Sequence, residues 1–231
     1  MNKIKNAIIL CSGGIDSVTT AFYVKEKLKY PKLTLLFFDY NQKSLNSERK
    51  FSKLTAKNLR ADFIEITLKE LGKLSTSLIN VKGRNKKTSI KELKDTRKQT
   101  NDFYVPARNH IFISYALALA DKLYLKNKTK SDIFLGFKNE GNNPYPDSTK
   151  EFAKNANKIA EATLSKPKIL TPLIDLDKED IINLAFILNV NLKHTHSCYI
   201  SNKHCGSCLS CALRKAGFYW ANQQDNTEYK K

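Results

Sequence analysis

Apolar residues in this chain come in short unbroken runs, separated by stretches in which they recur every three or four positions. The runs Ala7–Cys11, Lys32–Phe38 (KLTLLFF) and Asp62–Thr67 (DFIEIT) read as strands, and Ile15–Leu28 and Ser47–Leu59 read as helices between them. Further on, helices are expected over about Arg108–Leu123 and Ser148–Thr163, and strands over Ser131–Phe137 and around Lys168–Leu173. The acidic start Asp177-Lys178-Glu179-Asp180 opens a helix Asp180–Leu188, and a last helix spans roughly Leu209–Ala221. Strand and helix alternate. That order predicts an α/β fold, an open parallel sheet with helices on both faces. Residues 81–102 interrupt the pattern: they are polar and lysine-rich, and read as a mobile excursion or lid.

Composition narrows the picture. A chain of 231 residues, 41% hydrophobic, buries a real core as one domain with at most a small appendage. The longest apolar stretch, Ile111–Ala120, is well short of the roughly 20 residues of a bilayer span. The N-terminal run AIILC is shorter than the roughly 7–15 residues of a signal-peptide core. No membrane segment is expected, and the protein reads as cytoplasmic. The formal charge of +18 admits a nucleic-acid partner, but the lysines are spread along nearly every helix and read as solvated faces. Anionic nucleotides are drawn in under either reading.

The stretch Leu10-Cys11-Ser12-Gly13-Gly14-Ile15-Asp16-Ser17 sits where the first strand runs into the first helix. Adjacent glycines permit unusual φ values and close backbone approach to a ligand. With the helix N-terminus, their N–H groups make an anion site suited to phosphate. Ser12 and Ser17 add hydroxyl donors, and Asp16 suits a Mg²⁺ held on the phosphates. The spacing is neither that of the Walker loop nor of the dinucleotide fingerprint.

Four of the five cysteines crowd into Cys198-x6-Cys205-x2-Cys208-x2-Cys211. So many thiols in so short a segment favour a metal over disulfide bridges. Four thiolates complete the tetrahedral shell of a structural Zn²⁺ and leave no open position; an iron–sulfur cluster is the alternative. His194, His196 and His204 lie close but are not needed as ligands. Cys11 reads as a small buried residue of the strand. Residues 1–190 are thus expected to form the nucleotide-binding domain, with 191–231 a zinc-binding segment packed on it.

The string SGGIDS resembles the PP-loop of the ATP pyrophosphatases, which adenylate a carbonyl or carboxyl oxygen and release pyrophosphate. The resemblance implies an adenine nucleotide alpha hydrolase-like fold. The C-terminal stretch His196-Ser197-Cys198-Tyr199 with His204 to Cys211 and Arg214 is similar to the zinc segment of the 7-cyano-7-deazaguanine synthase family, of queuosine biosynthesis. Further likeness runs through Phe38-Asp39-Tyr40-x-Gln42, Val105-Pro106-x-Arg108-Asn109, Gly136 with Glu140, Tyr145-Pro146-Asp147 with Glu151-Phe152, and Thr171-Pro172-Leu173 leading to Lys178.

This resemblance implies an ATP-dependent ligase forming C–N bonds. The substrate would be 7-carboxy-7-deazaguanine, with ammonia; nucleic acid is not required, and relatives often pair as homodimers. Leu10–Ser17 with Asp39, Tyr40 and Gln42 would bind ATP, and Asp16, Ser12, Arg108 and Asn109 would act in catalysis. Arg108, Asn109, Glu140 and Asp147 would bind the base. The family usually has glycine at position 107, where this chain has alanine, and commonly tryptophan where His196 stands. Phe137-Lys138-Asn139 also departs from its small or amide residues. Two rival readings are a PP-loop tRNA-modifying enzyme that adenylates a base carbonyl, and a zinc-ribbon-like nucleic-acid module.

Overall fold

In a computed structural model of the chain, which describes residues 6–81, 87–89, 92–93, 96–141 and 144–230 (97–99 by backbone alone), the first apolar run forms β1 (Asn6–Leu10). β2 (Leu33–Asp39) is buried along its whole length. β3 (Asp62–Thr67) is only half-buried, as befits an edge, and β4 (Ser131–Phe134) and the two-residue β5 (Ile169–Leu170) complete the sheet. The order is β3-β2-β1-β4-β5, and every pairing is parallel. Parallel strands need crossovers, and those crossovers lay helices over both faces, which is why the central strands are buried on both sides.

Side-chain alternation sends successive residues of each strand into two cores. Ala7, Ile9, Leu33, Leu35 and Phe134 point to one face, beneath α1 (Ile15–Glu26), α2 (Leu45–Leu59), α7 (Lys178–Ile187) and α8 (Leu209–Trp220). Ile8, Leu36, Phe38 and Ile133 point to the other, beneath α5 (Arg108–Asn127) and α6 (Lys150–Ala160). Phe218 and Ala221 of α8 share the first core with β1, so the C-terminal segment has no separate interior on that side. Two short helices, α3 (Lys69–Lys73) and α4 (Arg97–Phe103), precede α5.

Several expected boundaries move. β4 ends at Phe134, not Phe137, because Gly136 lies against the backbone of Ser17, where an added Cβ would be 3.0 Å away. β5 covers only Ile169–Leu170 of the expected 168–173; Pro172, with no N–H to give, follows at once. α7 starts at Lys178 rather than Asp180 because Asp177 and Asp180 close a capping box around its first turn. α5 runs on to Asn127, where Lys128 turns left-handed. Regular structure also resumes earlier than expected, at α4, whose Phe103 is 1% exposed and anchors the end of the polar stretch. The lid expected over 81–102 otherwise falls largely outside the described residues. Among the described residues, no helix is long and apolar enough to cross a membrane.

Ala107, at the N-cap of α5, has φ 52° and ψ 22°. This is the left-handed region, which explains why glycine suits the position. Ala107→Gly is expected to stabilise the protein by about 0.5–1 kcal/mol: the left-handed penalty of about 1–2 kcal/mol is relieved, less the extra unfolded-chain entropy of glycine. For a chain of this size the melting temperature should rise by about 1–4 °C. A thermal melt showing no rise would refute the assignment of strain.

Candidate active site

In an open parallel sheet the carboxyl ends of the strands meet solvent together, and a crevice opens where the crossovers change direction. Here that point lies between β1 and β4, the two strands flanked in turn by β2 and β5. A cavity of about 250 Å³ occupies it, lined by Leu10, Leu36, Phe38, Leu135 and Gly136 from the strand ends. The turn after β1 forms its floor. Ser12, Gly14, Ile15, Asp16 and Ser17 line it, and Gly14 is the N-cap of α1, so the free N–H groups of that helix face the space. The turn is tied internally: Ser12 N donates to Ser17 Oγ at 3.2 Å, and Ser17 Oγ donates to the Gly14 carbonyl at 3.2 Å.

Gly13 does a different job. Its φ is +75°, and a Cβ there would lie 2.6 Å from the Glu48 carbonyl oxygen, so it lets the turn press against α2 rather than line the cavity. The Gly13 carbonyl accepts from His196 N at 2.8 Å, which joins the turn to the C-terminal segment.

Asp16 projects from the first turn of α1 and is met by Lys178, the first residue of α7. The Lys178 ammonium lies 2.5 and 2.7 Å from the two carboxylate oxygens. Burial pushes Lys178 below the ordinary lysine range against the opposing pull of Asp16. On the facing wall, Arg108 Nη1 donates to the Tyr40 hydroxyl at 3.4 Å and its guanidinium lies 5.9 Å from the Tyr40 ring centre. Burial works against the Arg108 charge, but Tyr40, Tyr199 and Asp147 outweigh it and drive the group above its usual range. Glu140 also lines the space, with Lys138 Nζ 3.0 Å from its carboxylate.

The structure brings together Leu10, Cys11, Ser12, Gly14, Ile15, Asp16, Ser17, Tyr40, Arg108, Asn109 and Glu140 around the cavity. It turns Gly13, Asp39, Gln42 and Asp147 elsewhere. Asp39 accepts from Arg49 Nη2 at 3.1 Å, in an ion-pair cluster that also holds Glu65. Gln42 stitches the loop after β2, accepting from Tyr40 N and donating to the Phe38 carbonyl, both at 3.0 Å. Asp147 caps α5 from a distance: its carboxylate accepts from Asn109 N at 3.0 Å and its carbonyl accepts from Asn109 Nδ2 at 2.8 Å. Cys11 is 2% exposed and burial raises its thiol, so it stays protonated.

Cys198, Cys205, Cys208 and Cys211 gather so that their sulfurs all lie within 4.8 Å of one another. The pairs Cys198–Cys208 and Cys205–Cys211 are each 3.9 Å apart. Tetrahedral coordination at the usual Zn–S length of about 2.3 Å sets sulfurs about 3.8 Å apart, so the four thiols fit one ion. A cubane cluster spreads its thiolates over four separate irons and needs a wider cage. The N–H groups of Ser207 and Cys208 donate to Cys205 Sγ at 3.4 and 3.2 Å, the outer support a thiolate ligand needs. His196 and His204 are engaged away from the sulfurs. His196 Nε2 contacts the Cys198 and Ser201 carbonyls, and His204 Nε2 accepts from Ser197 N.

The profile of the family described as "Queuosine biosynthesis protein QueC" matches residues 6–222 of this fold. The chain belongs to that family. Its relatives include the 7-cyano-7-deazaguanine synthase of Methanosphaera stadtmanae, 34% identical across 97% of this chain and 98% of its own. Those of Pyrococcus horikoshii (33% identical, 98% of each chain) and Campylobacter fetus subsp. fetus (35% identical, 100% of each) match at full length as well.

Within the QueC frame, residues that the sequence left without a role become visible. Lys178 had no assigned task, yet it meets Asp16. Glu48 lines the cavity as a second carboxylate, held by Gln42 Nε2 at 2.9 Å and Ser44 Oγ at 2.5 Å, with burial raising its proton affinity. Tyr145, Tyr199 and Phe112 supply flat apolar walls. Glu48 sits on the first turn of α2, and only its position seven and eight residues before the small buried Thr55 and Ala56 hinted at an inward face.

Burial raises the Tyr40 hydroxyl to about 12 from its ordinary 10.0, despite the counter-pull of Arg108. The folded state therefore keeps this proton where the unfolded chain releases it. Tyr40 contributes fully below pH 10, and its contribution is lost as the pH rises through about 12. Denaturant unfolding followed across that window should show a decline that Tyr40→Phe flattens by up to about 3 kcal/mol. An unchanged pH slope in the variant would place the titration elsewhere.

Proposed function

We propose that this cavity converts 7-carboxy-7-deazaguanine and ammonia to 7-cyano-7-deazaguanine, consuming two molecules of ATP. The observation that carries the reading is the turn from Ser12 to Ser17, whose free N–H groups open at the β1–β4 crevice beside the Asp16–Lys178 pair. A triphosphate laid along α1's N-terminus puts its charge on that helix end and on Lys178. The opposite wall, with Arg108, Tyr145, Tyr199 and Glu140, suits a flat heterocycle that carries a carboxylate and donor N–H groups.

A carboxylate is a poor acyl donor because oxide would have to leave. In the first half-reaction its oxygen attacks the α-phosphorus of ATP and pyrophosphate departs. Ammonia then adds to the acyl carbon, AMP leaves, and a proton is lost to give the amide. The amide oxygen attacks a second ATP in the same way. Loss of AMP and the N–H protons forms the C≡N bond. Arg108 faces the developing negative charge, and Lys178 and α1's N-terminus neutralise the departing pyrophosphate. Mg²⁺ bound with ATP would supply further charge there, and Asp16, on releasing Lys178, would hold it. The residues contribute placement and electrostatics, with no covalent enzyme intermediate.

Cys198, Cys205, Cys208 and Cys211 would hold one structural Zn²⁺, remote from this chemistry. The chain would act on the free base in the cytoplasm, without nucleic acid, as a homodimer. The buried, protonated Cys11 supports this against a thiol-using tRNA enzyme.

Incubation with ATP, ammonium and the carboxylated base should yield the nitrile, detected by mass spectrometry, with AMP and pyrophosphate. Asp16→Ala should lower turnover by at least about 100-fold, the scale of one lost electrostatic contact to a reacting phosphate. AMP release that depends on tRNA and ignores the free base would overturn the reading. Metal analysis should find about one zinc per chain, and Cys208→Ser should lower both zinc content and melting temperature. Iron in place of zinc would refute that assignment.

A further inference from the structure

We propose that Gly217, in the second half of α8, is a positioning residue that holds open the lane along which Lys178 reaches Asp16. This rests on the reading that Lys178 acts at the nucleotide's phosphates.

Glycine inside a helix is unfavourable relative to alanine and needs a compensating reason. Gly217 lies three residues before the end of α8, and its φ is not in the left-handed region, so the backbone supplies none. The reason lies in what faces it. A Cβ built at Gly217 would stand 2.3 Å from Lys178 Cγ and 3.1 Å from Lys178 Cβ. The third of the three nearest atoms, Ile182 Cδ1 at 3.0 Å, belongs to a buried side chain that must give by only a few tenths of an ångström. The tight contact is therefore with the root of the lysine stem.

That stem has little freedom to retreat. Its ammonium is fixed on both oxygens of Asp16 at 2.5 and 2.7 Å. Its backbone is fixed by the capping box of Asp177 and Asp180. Lys178 is only 16% exposed. A methyl group at 217 must rotate the lysine about its first bonds, and the ammonium at the far end then leaves Asp16.

α8 itself is held firmly. Cys208 is its N-cap, Cys211 lies in its first turn, and Arg214 donates to the Leu192 carbonyl and the Thr195 hydroxyl, both at 2.9 Å. Cys208 and Gly217 are nine residues apart, about 14 Å along the helix axis. The cysteine cluster and the cavity thus share one rigid helix, which sets where the lane lies.

The test compares Gly217→Ala, Lys178→Ala and the double variant in the full chain, by nitrile turnover and thermal melting. Lys178→Ala should lose turnover; if it keeps the parental rate, the reading of Lys178 fails whatever Gly217 does. Gly217→Ala should lower kcat by about 10-fold or more, the scale of a misplaced catalytic group, with KM for the carboxylated base little changed. In the Lys178→Ala background the Cγ contact at 2.3 Å is gone while the neighbours at 3.0 and 3.1 Å remain, so Gly217→Ala should change the melting temperature more favourably there than in the parent chain. A Gly217→Ala protein with the parental kcat would overturn the proposal. So would a Gly217→Ala change that shifts the melting temperature no more favourably in the Lys178→Ala background than in the parent chain, because the clash would then lie with something other than the lysine stem beyond Cβ.

Discussion

A parallel sheet covered by helices on both faces leaves its strand ends as the surface where backbone and ligand can meet. In this protein the constraint is sharpened by β1, which lies at the centre of the order β3-β2-β1-β4-β5 and is buried except at its last residue. The chain must turn directly from β1 into α1, and the turn must avoid α2 on one side and the end of β4 on the other. Gly13 makes the first approach possible and Gly136 the second. What remains open between them is a helix N-terminus with unused N–H groups, and the chemistry is built on that opening.

Charges are placed there in pairs, which keeps buried ionic groups affordable in a low-dielectric site. Asp16 meets Lys178, Lys138 meets Glu140, and Arg108 faces Tyr40 with Asp147 nearby. Each pair can exchange its internal contact for one to a ligand of matching charge. Lys138 Nζ lies 3.0 Å from the Glu140 carboxylate and occupies it.

The C-terminal segment is more than an appendage. His196 N donates to the Gly13 carbonyl, Ser47 donates to Asn202, and Phe218 and Ala221 enter the core that contains β1. A metal held by the four thiols would fix the loop from Cys198 to the start of α8, and through it both the back of the turn after β1 and the flank of α7. Binding energy at such a site is folding energy for the segment that carries it.

The sequence by itself determined what depends on neighbours along the chain. Strand and helix periodicity pointed to the parallel α/β layout, the glycines of Ser12–Ser17 to a turn that opens a helix N-terminus on the cavity, and four thiols between 198 and 211 to a cluster able to hold a metal, since each needs only local spacing. The tertiary structure decided what depends on residues far apart. It set Lys178 on Asp16 across 162 positions, brought Glu48 to the cavity, and turned Asp39, Gln42 and Asp147 to structural partners. Those choices follow from which strand ends lie side by side and which helix crosses which, and no local pattern encodes the direction a side chain takes once the sheet has assembled.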